Sequence, residues 1–448
     1  MKTDHKITFA IPISIVVVGL IAALIIPNLL KRKEGCEETT MFLSRKGKVK
    51  IILSRLSSSN PDVVKKAKNE LYDFKFKDKD LKLIYSAIEK KYQDDIDEFM
   101  STRANLIRVL WDVHDVSTVG FIEDIYPSLP PNKDIVFSAL RTLTEIKTAK
   151  SLSLLSHILL ESKPDFGNSI YKLFVPIMKQ GEYLDSILPA IFKLIRQDYY
   201  KDELYSFIAN WLSNGAIDRE AIVDIEKSAI SDFAEALRKS QEASSSDENA
   251  VKNDLGVLEM TADLLGYLTD KEKTIPLLRQ GLQHFEARIQ LYCAISLIRL
   301  DEQVSDKYFK RIAKDPLLRL MLYEALDGMD KPELFPDAFM TQQHFAESDM
   351  VTWLTFPTEF GRPPDKIELL ETMEIIDSSG EAGRLYMYKY FYEDDEDRWM
   401  VGISGPQPSD KNKIKTSGHM TFSHWNKLDQ MSIDEHFKSF IEDSSLKR

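Results

Sequence analysis

A short helical motif recurs along this sequence and constrains its fold more than any other feature. Residues 62–71 run Asp, Val, Val, two variable positions, Ala and, one turn later, Leu, and residues 134–143 keep that order with Ile in second place. Five apolar positions also match five others at one constant offset of 123 residues: Ala139, Leu152, Leu154, Leu155 and Leu159 match Ala262, Ile275, Leu277, Leu278 and Leu282. That offset is about three repeats of roughly 41 residues. Because one helix pair cannot bury its own apolar face, the repeats predict neighbouring pairs that stack on each other.

The helical character extends from about Val49 to Leu334. Asn60 and Pro61 fit an N-cap and a first helical position, and apolar residues follow at helical spacing. The segments 59–71, 133–162 and 261–302 resemble HEAT-like α-solenoid repeats, and the resemblance covers about residues 47–336. It implies a solenoid of helix pairs, and an all-α bundle with similar apolar stripes is the alternative. A polar, Ser-rich stretch at 240–250 is expected to be a loop within the repeats.

A long apolar run lies near the beginning of the sequence. Its 24 residues, Ile7–Leu30, contain no charged side chain, and Lys31, Arg32 and Lys33 follow directly. At about 1.5 Å per residue the run reaches roughly 36 Å, more than a hydrocarbon core of about 30 Å. A cleaved signal peptide has a shorter apolar region that ends in small residues. The run therefore predicts an uncleaved transmembrane anchor.

Basic residues are more numerous after this anchor than before it. Only Lys2 and Lys6 precede it, so the charge distribution places the body of the chain on the cytoplasmic side of a bacterial inner membrane. A periplasmic body is the alternative, because short tails with two lysines also begin many exported signal-anchors. The basic run Arg45–Lys50 could lie on anionic lipid headgroups.

Composition excludes some classes of protein. A net charge of -12 argues against a nucleic-acid surface. The chain has 448 residues, too many for one compact core, so several domains or a repeat array are expected. Its two cysteines, Cys36 and Cys293, cannot form a disulfide framework. Cys293 lies in an apolar helical pattern and is predicted to be a small core residue.

The helical pattern stops near Pro336, and the composition then shifts toward Pro, Gly and aromatic residues. Three prolines make Phe356–Asp365 an irregular loop. The pattern after it predicts strands at Lys366–Ile376, Arg384–Tyr392, Arg398–Ser404 and His419–Trp425, and a helix at Ser432–Ile441. The fold class is therefore mainly α, with a transmembrane anchor at 1–35, a HEAT-like helical domain at 36–336 and a small α+β domain with an antiparallel sheet at 337–448.

The second predicted strand carries four tyrosines on one face, because strand side chains alternate: Tyr386, Tyr388, Tyr390 and Tyr392. This tyrosine face could be a recognition surface. It could equally pack under the preceding helices, with its hydroxyl groups reaching water at the edge. Glu359 and Arg362 in the proline-rich loop are further binding candidates, although an ion pair between Arg362 and Asp365 that holds the loop explains them as well.

Motifs for chemistry are missing from the sequence. It contains no phosphate-binding loop, no zinc-protease helix and no nucleophile elbow, so we predict no catalytic residue and no cofactor. His419, His424 and His436, with Asp434 and Glu435, could be drawn as a metal site. Ordinary surface histidines are the favoured interpretation, and no metal is predicted.

Two functions from different classes remain open. The favoured one is a membrane-anchored adaptor, not an enzyme, which binds a protein partner on the solenoid surface and binds no nucleic acid. The alternative is an enzyme with a site between the end of the solenoid and the C-terminal sheet. Such a site needs a closed polar pocket lined by Glu359, Arg362, His424 or the tyrosine face.

Overall fold

The computed structural model describes residues 44–96, 101–165, 170–178, 183–242, 248–356, 359–376, 382–393, 399–408, 421–428 and 431–444. These residues divide into two compact units, 44–269 and 270–444. The predicted anchor Ile7–Leu30 lies outside the described residues, as does Cys36. Within the described ranges, no helix is both long enough and apolar enough to cross a membrane. The predicted domain bounds stay predictions.

The first unit is helical throughout, as the sequence predicts. Its helices are α1, Arg45–Arg55; α2, Pro61–Asp73; α3, Leu81–Ile88; α4, Thr102–Val113; α5, Ser117–Ile125; α6, Lys133–Ile146; α7, Ala149–Ser162; α8, Ile170–Phe174; α9, Leu188–Arg196; α10, Lys201–Ser213; α11, Val223–Glu242; and α12, Glu248–Leu265. The predicted loop at 240–250 was wrong at its two ends, because α11 continues to Glu242 and α12 begins at Glu248. Residues 243–247 lie outside the described ranges.

The helices of the first unit form two rows, because alternate helices pack on each other. In the even row, α2 contacts α4, α4 contacts α6, α6 contacts α8, α8 contacts α10, and α10 contacts α12. In the odd row, α1 contacts α3, and α5, α7, α9 and α11 contact one another in turn. Each helix pair therefore meets its neighbours along the chain, which is how repeat proteins bury a continuous core.

The recurring motif and the Asn residue before it supply the side chains that cap and pack the helices α2 and α6. The side chain of Asn60 accepts a hydrogen bond from the backbone N of Asp62 at 2.9 Å, and Asn132 accepts one from the backbone N of Asp134 at the same distance. These caps satisfy amide groups that a helix start leaves unpaired. The alanines of the motif, Ala67 on α2 and Ala139 on α6, are each 0% exposed, as is Ala262 on α12, which matches Ala139. Ala139 and Ala262, one pair related by the offset of 123 residues, thus occupy equivalent positions in the even row.

The second unit begins with four helices: α13, Lys271–Gly281; α14, Ala287–Arg299; α15, Asp306–Lys314; and α16, Pro316–Gly328. Consecutive helices of this set contact each other, and α14 also contacts α16. Cys293 lies on α14 and is 0% exposed, which confirms its prediction as a core residue. Burial raises the pKa of its thiol well above the usual range.

An antiparallel sheet follows, with strands in the order β1-β2-β3-β4. The strands are β1, Lys366–Ile376; β2, Ala382–Phe391; β3, Met400–Pro408; and β4, Thr421–Lys427. All four predicted strands are therefore present, the first with the predicted bounds. The final helix α18, Ile433–Ser444, is also present.

The sequence did not predict one helix of the second unit. Helix α17, Gln342–Leu354, precedes the sheet and contacts α16, β2, β3 and β4. It covers the tyrosine face, while Phe437 and Phe440 of α18 pack with Leu385 and Met387 on the opposite face. The sheet is thus enclosed between two helices, and the prediction of a sheet with one helix was wrong in that respect.

Candidate interaction surface

The tyrosine face lies inside the second unit. Tyr386 is 4% exposed, and the other three tyrosines, Tyr388, Tyr390 and Tyr392, are 1% exposed or less. Their rings pack with Ala346, Met350 and Leu354 of α17. This is the packing interpretation of the tyrosine face, and a binding role for these residues stays a prediction.

Two of the tyrosine hydroxyl groups donate hydrogen bonds to backbone carbonyls. Tyr388 donates to the carbonyl oxygen of Gln343 at 2.7 Å, and Tyr392 donates to that of Arg362 at 3.1 Å. Burial raises the pKa of Tyr388 well above its usual range. The expectation that the hydroxyl groups reach water was therefore wrong for these two tyrosines, since α17 and the proline-rich loop cover them.

The proline-rich loop brings Arg362, Asp365 and Tyr392 together. The guanidinium carbon of Arg362 lies 4.7 Å from the ring centroid of Tyr392, and its Nη1 lies 3.3 Å from Oδ2 of Asp365. The backbone N of Glu393 donates to the same carboxylate at 2.9 Å. That bond and the Arg362 charge lower the pKa of Asp365. These contacts hold the loop against the end of β2. Burial raises the pKa of Glu359 in the same loop.

The predicted histidine cluster is only partly described. His436 lies on α18 and is 0% exposed, so its interpretation as a surface histidine was wrong. His424 lies on β4 opposite Val401. His419 is outside the described residues. Across the described ranges, no group of three or more His, Cys, Asp or Glu residues could hold a metal ion.

Two clefts open on the second unit. One, of about 550 Å³, is lined by β1 and α18 residues that include Glu371, Asp434 and Phe437. The other, of about 190 Å³, is lined by residues that include Gln290, Lys307 and Arg311. Neither of these two is lined by Glu359, Arg362 or the tyrosines. The enzyme alternative stays a prediction.

A further surface, which the sequence analysis missed, follows the even row of the first unit. We call it the polar–aromatic strip, and it consists of Tyr72, Asn105, Arg108, Trp111, Asp134, Ser138, Arg141, Thr142, Glu145, Tyr171 and Glu203. Tyr72 is exposed, Asn105, Ser138 and Thr142 are buried beneath the surface, and the other members are partly exposed. On α4 and α6 successive members lie three or four residues apart, except for the adjacent Arg141 and Thr142, so they lie on one side of each helix. Helices α2, α8 and α10 contribute one member each. Because α2, α4, α6, α8 and α10 lie side by side, these faces form one continuous row.

The strip begins with hydrogen bonds between adjacent helices. The hydroxyl of Tyr72 donates to Oδ1 of Asn105 at 2.5 Å, while 57% of the Tyr72 residue surface remains exposed. Arg108 on α4 donates to the carboxylate of Asp134 on α6, so this pair joins the next two helices. Both partners are partly buried, and the pair is therefore better shielded from solvent than an exposed ion pair.

Trp111 lies at the centre of the strip. Its indole N–H is shared between the carbonyl oxygen of Ser138 and the hydroxyl of Thr142, each at 3.1 Å. The guanidinium carbons of Arg108 and Arg141 lie 5.9 and 5.7 Å from a Trp111 ring centroid, within the range of cation–π attraction. The indole is thus fixed at one end and flanked by cations, while part of it remains exposed.

The strip continues onto α8 and α10. Arg141 pairs with Glu145 at 2.8 Å and donates to the backbone carbonyl of Lys172. Burial lowers the pKa of Arg141, and Glu145 opposes this effect. The backbone N of Tyr171 donates to Glu203 at 2.9 Å, and its ring stacks on Phe207 at 5.2 Å. The strip therefore holds two arginines, a tryptophan and two tyrosines in fixed positions on a partly exposed surface.

No model of a protein family matches this chain, and no curated protein matches it. Among solved structures, an engineered protein is similar with a TM-score of 0.35 and 15% identity, covering 69% of this chain and 84% of that one. The CpcE–CpcF complex of phycocyanin lyase from Nostoc sp. PCC7120 has a TM-score of 0.27 at 13% identity, over 67% of this chain and 98% of that one. Human deoxyhypusine hydroxylase in complex with glycerol has a TM-score of 0.23 at 14% identity, over 64% and 96%.

Proposed function

We propose that this chain is a membrane-anchored, HEAT-like scaffold that binds a protein partner through the polar–aromatic strip. The observation that carries the proposal is the continuous row of Arg108, Trp111, Arg141 and Tyr171 along the even-row helices. Trp, Tyr and Arg are the residue types that dominate the binding energy of protein interfaces.

These side chains are already held in place by hydrogen bonds and ion pairs, which supports a role in binding. Immobilising a long side chain on association costs about 0.5–1.5 kcal/mol. Arg108 and Arg141 are already held by Asp134 and Glu145, and Trp111 by its shared indole bond. A partner that meets this surface would lose little further side-chain entropy. Charges of both signs alternate along the strip, which favours a partner segment of mixed charge.

The location of the scaffold is part of the proposal. The apolar run Ile7–Leu30 would anchor the chain as a single-pass protein of a bacterial inner membrane, and Lys31–Lys33 would place the two units in the cytoplasm. Fusing alkaline phosphatase and a fluorescent protein in turn after Arg448 tests this location. Activity of the phosphatase fusion alone would assign the two units to the periplasm.

The binding surface can be tested by removing one ion pair of the strip as a unit. The double variant Arg108→Ala with Asp134→Ala removes both charges, so that no uncompensated charge stays partly buried. We expect the full chain, extracted in detergent after crosslinking, to retain a stoichiometric partner that this variant loses.

A matched control removes another pair from the odd row. Glu235 and Arg238 on α11 form an exposed ion pair at 2.8 Å, and the double variant Glu235→Ala with Arg238→Ala should keep the partner. A wild-type chain that returns no stoichiometric partner after crosslinking would refute the scaffold. Equal loss from both double variants would refute the strip as the binding surface.

A further inference from the structure

The first described helices are basic, although the protein as a whole is acidic. Residues 44–91 contain fourteen Lys and Arg against six Asp and Glu, a net charge of +8. The whole chain carries -12, so the remainder carries -20. This separation of charge gives one end of the first unit a positive potential, although the net charge of the whole chain is negative.

Six exposed lysines form this basic end: Lys46, Lys50, Lys75, Lys77, Lys79 and Lys82. Arg45 brings their two segments together. It donates to the backbone carbonyl of Lys75 and pairs with Asp80 at 2.9 Å, so the start of α1 lies against the loop between α2 and α3.

The lysines of the basic end are not neutralised by the acidic residues around them. Within the described residues, none of the six lysines forms a salt bridge, whereas the neighbouring Arg45 and Arg55 are paired with Asp80 and Glu70. The six lysines lie in residues 44–50 and 73–82, and the exposed acids of these two segments are Asp73 and Asp78. Six cations against two anions leave this surface available to an anionic partner.

The position of the basic end in the chain identifies that partner. Thirteen residues, 31–43, separate the apolar run Ile7–Leu30 from Ser44, where the described structure begins. A chain of that length spans at most about 45 Å. If Ile7–Leu30 crosses a bilayer, the basic end is therefore held close to the surface of that bilayer. Lysines next to a membrane segment are attracted to the anionic headgroups of that membrane.

We propose that the basic end docks on anionic phospholipid headgroups and thereby orients the first unit on the membrane that anchors it. This inference rests on the proposed function, because the anchor supplies the proximity. The headgroup phosphates would accept hydrogen bonds from the six ammonium groups. The contact would weaken with salt, since the Debye length falls from about 10 Å at 0.1 M to about 3 Å at 1 M.

The test uses the full chain reconstituted into vesicles of neutral phosphatidylcholine, or of phosphatidylcholine with about 30% phosphatidylglycerol. Brief acetylation followed by mass spectrometry measures the reactivity of each lysine. We expect Lys46 and Lys50 to react roughly 5-fold more slowly on the anionic vesicles, and the difference to vanish at about 1 M salt. The exposed lysines Lys193, Lys227 and Lys310 should react equally on both.

A variant of the basic end and a matched control show whether its lysines cause the protection. Changing Lys75, Lys77 and Lys79 to Gln should lower the protection of Lys46 and Lys50, whereas changing Lys193, Lys227 and Lys310 to Gln should leave it intact. Equal reactivity on the two vesicle types would overturn the inference. So would protection by added RNA without any protection by anionic vesicles.

A separate readout distinguishes failure of the anchor from failure of the docking. Extraction with alkaline carbonate tests whether Ile7–Leu30 holds the chain in the bilayer. If carbonate removes the protein, the anchor is refuted and with it the proximity on which the inference depends. If the protein resists carbonate but shows no dependence on phosphatidylglycerol, the anchor stands and the docking is refuted.

Discussion

Neutralising Glu324 should stabilise the second unit at high pH. Glu324 lies on α16, where burial and then the nearby charge of Asp327 raise its pKa from 4.5 to about 7. A raised carboxyl pKa means that the folded state holds its proton more tightly than the unfolded state does. Folding therefore carries no penalty from this group below pH 4.5, a growing one as the pH rises to 7, and the full one above that.

The size of the penalty follows from the two pKa values. A pKa raised from 4.5 to about 7 corresponds to roughly 3 kcal/mol of lost folding free energy at pH 8. The variant Glu324→Gln removes the charge and keeps the shape. We expect it to raise the free energy of unfolding by about 1–3 kcal/mol at pH 8 and to change it little near pH 4.5.

Urea unfolding at the two pH values measures this difference through the midpoint of the transition. Glu333→Gln is the control, because Glu333 is exposed just beyond the same helix. Its effect should be small at both pH values. A Glu324→Gln variant that gains the same stability at low and high pH, or loses stability at pH 8, would refute the reasoning.

Two further changes test the packing of the second unit. Arg319 donates to the carbonyl of Ala313 at 2.7 Å and to Glu347 at 2.7 Å with a side chain only 3% exposed, so Arg319→Met should cost about 3–5 kcal/mol. Adding Glu347→Gln to it should recover part of that loss in urea unfolding, and a further loss would contradict the pairing. Burial lowers the pKa of His284, so the unfolded state gains a proton first as the pH falls through 6.5. The unfolding midpoint should drop below that pH, and His284→Gln should reduce the drop.

The repeats could be predicted because their signals are local. A cap, a branched apolar pair and a small residue one turn later occupy neighbouring positions, so the sequence alone identifies Ala67 and Ala139 as equivalent, and both are buried. The strands were predictable for the same reason, since alternation along β2 assigns each tyrosine to one face.

Helix α17 could not be predicted from an apolar stripe along one face, because it packs against protein on more than one side. It packs on α16 and on the sheet, so apolar residues such as Phe345, Met350 and Val351 do not follow a single face. A helix surrounded by protein shows no amphipathic pattern. The hydroxyl partners of Tyr388 and Tyr392 were missed for the same reason, since they depend on what covers the sheet.

The polar–aromatic strip depends on which helices are neighbours. Tyr72 and Asn105 are 33 residues apart, Arg108 and Asp134 are 26 apart, and Trp111 and Thr142 are 31 apart. Only the alternate packing of the helices brings these residues together. A search for Arg, Trp and acidic residues about 30 positions apart, in register with the repeat, could have found the strip.

Photo-crosslinking from the strip tests the central claim most directly. A photoreactive amino acid replaces Tyr72 in one full chain, and His157 in another as the control, because His157 is exposed on α7 in the odd row. We predict that illumination in cells joins a stoichiometric partner protein to the chain through position 72 and leaves position 157 without one. Crosslinks at equal yield from both positions, or from position 157 alone, would contradict the assignment of the strip as the binding surface.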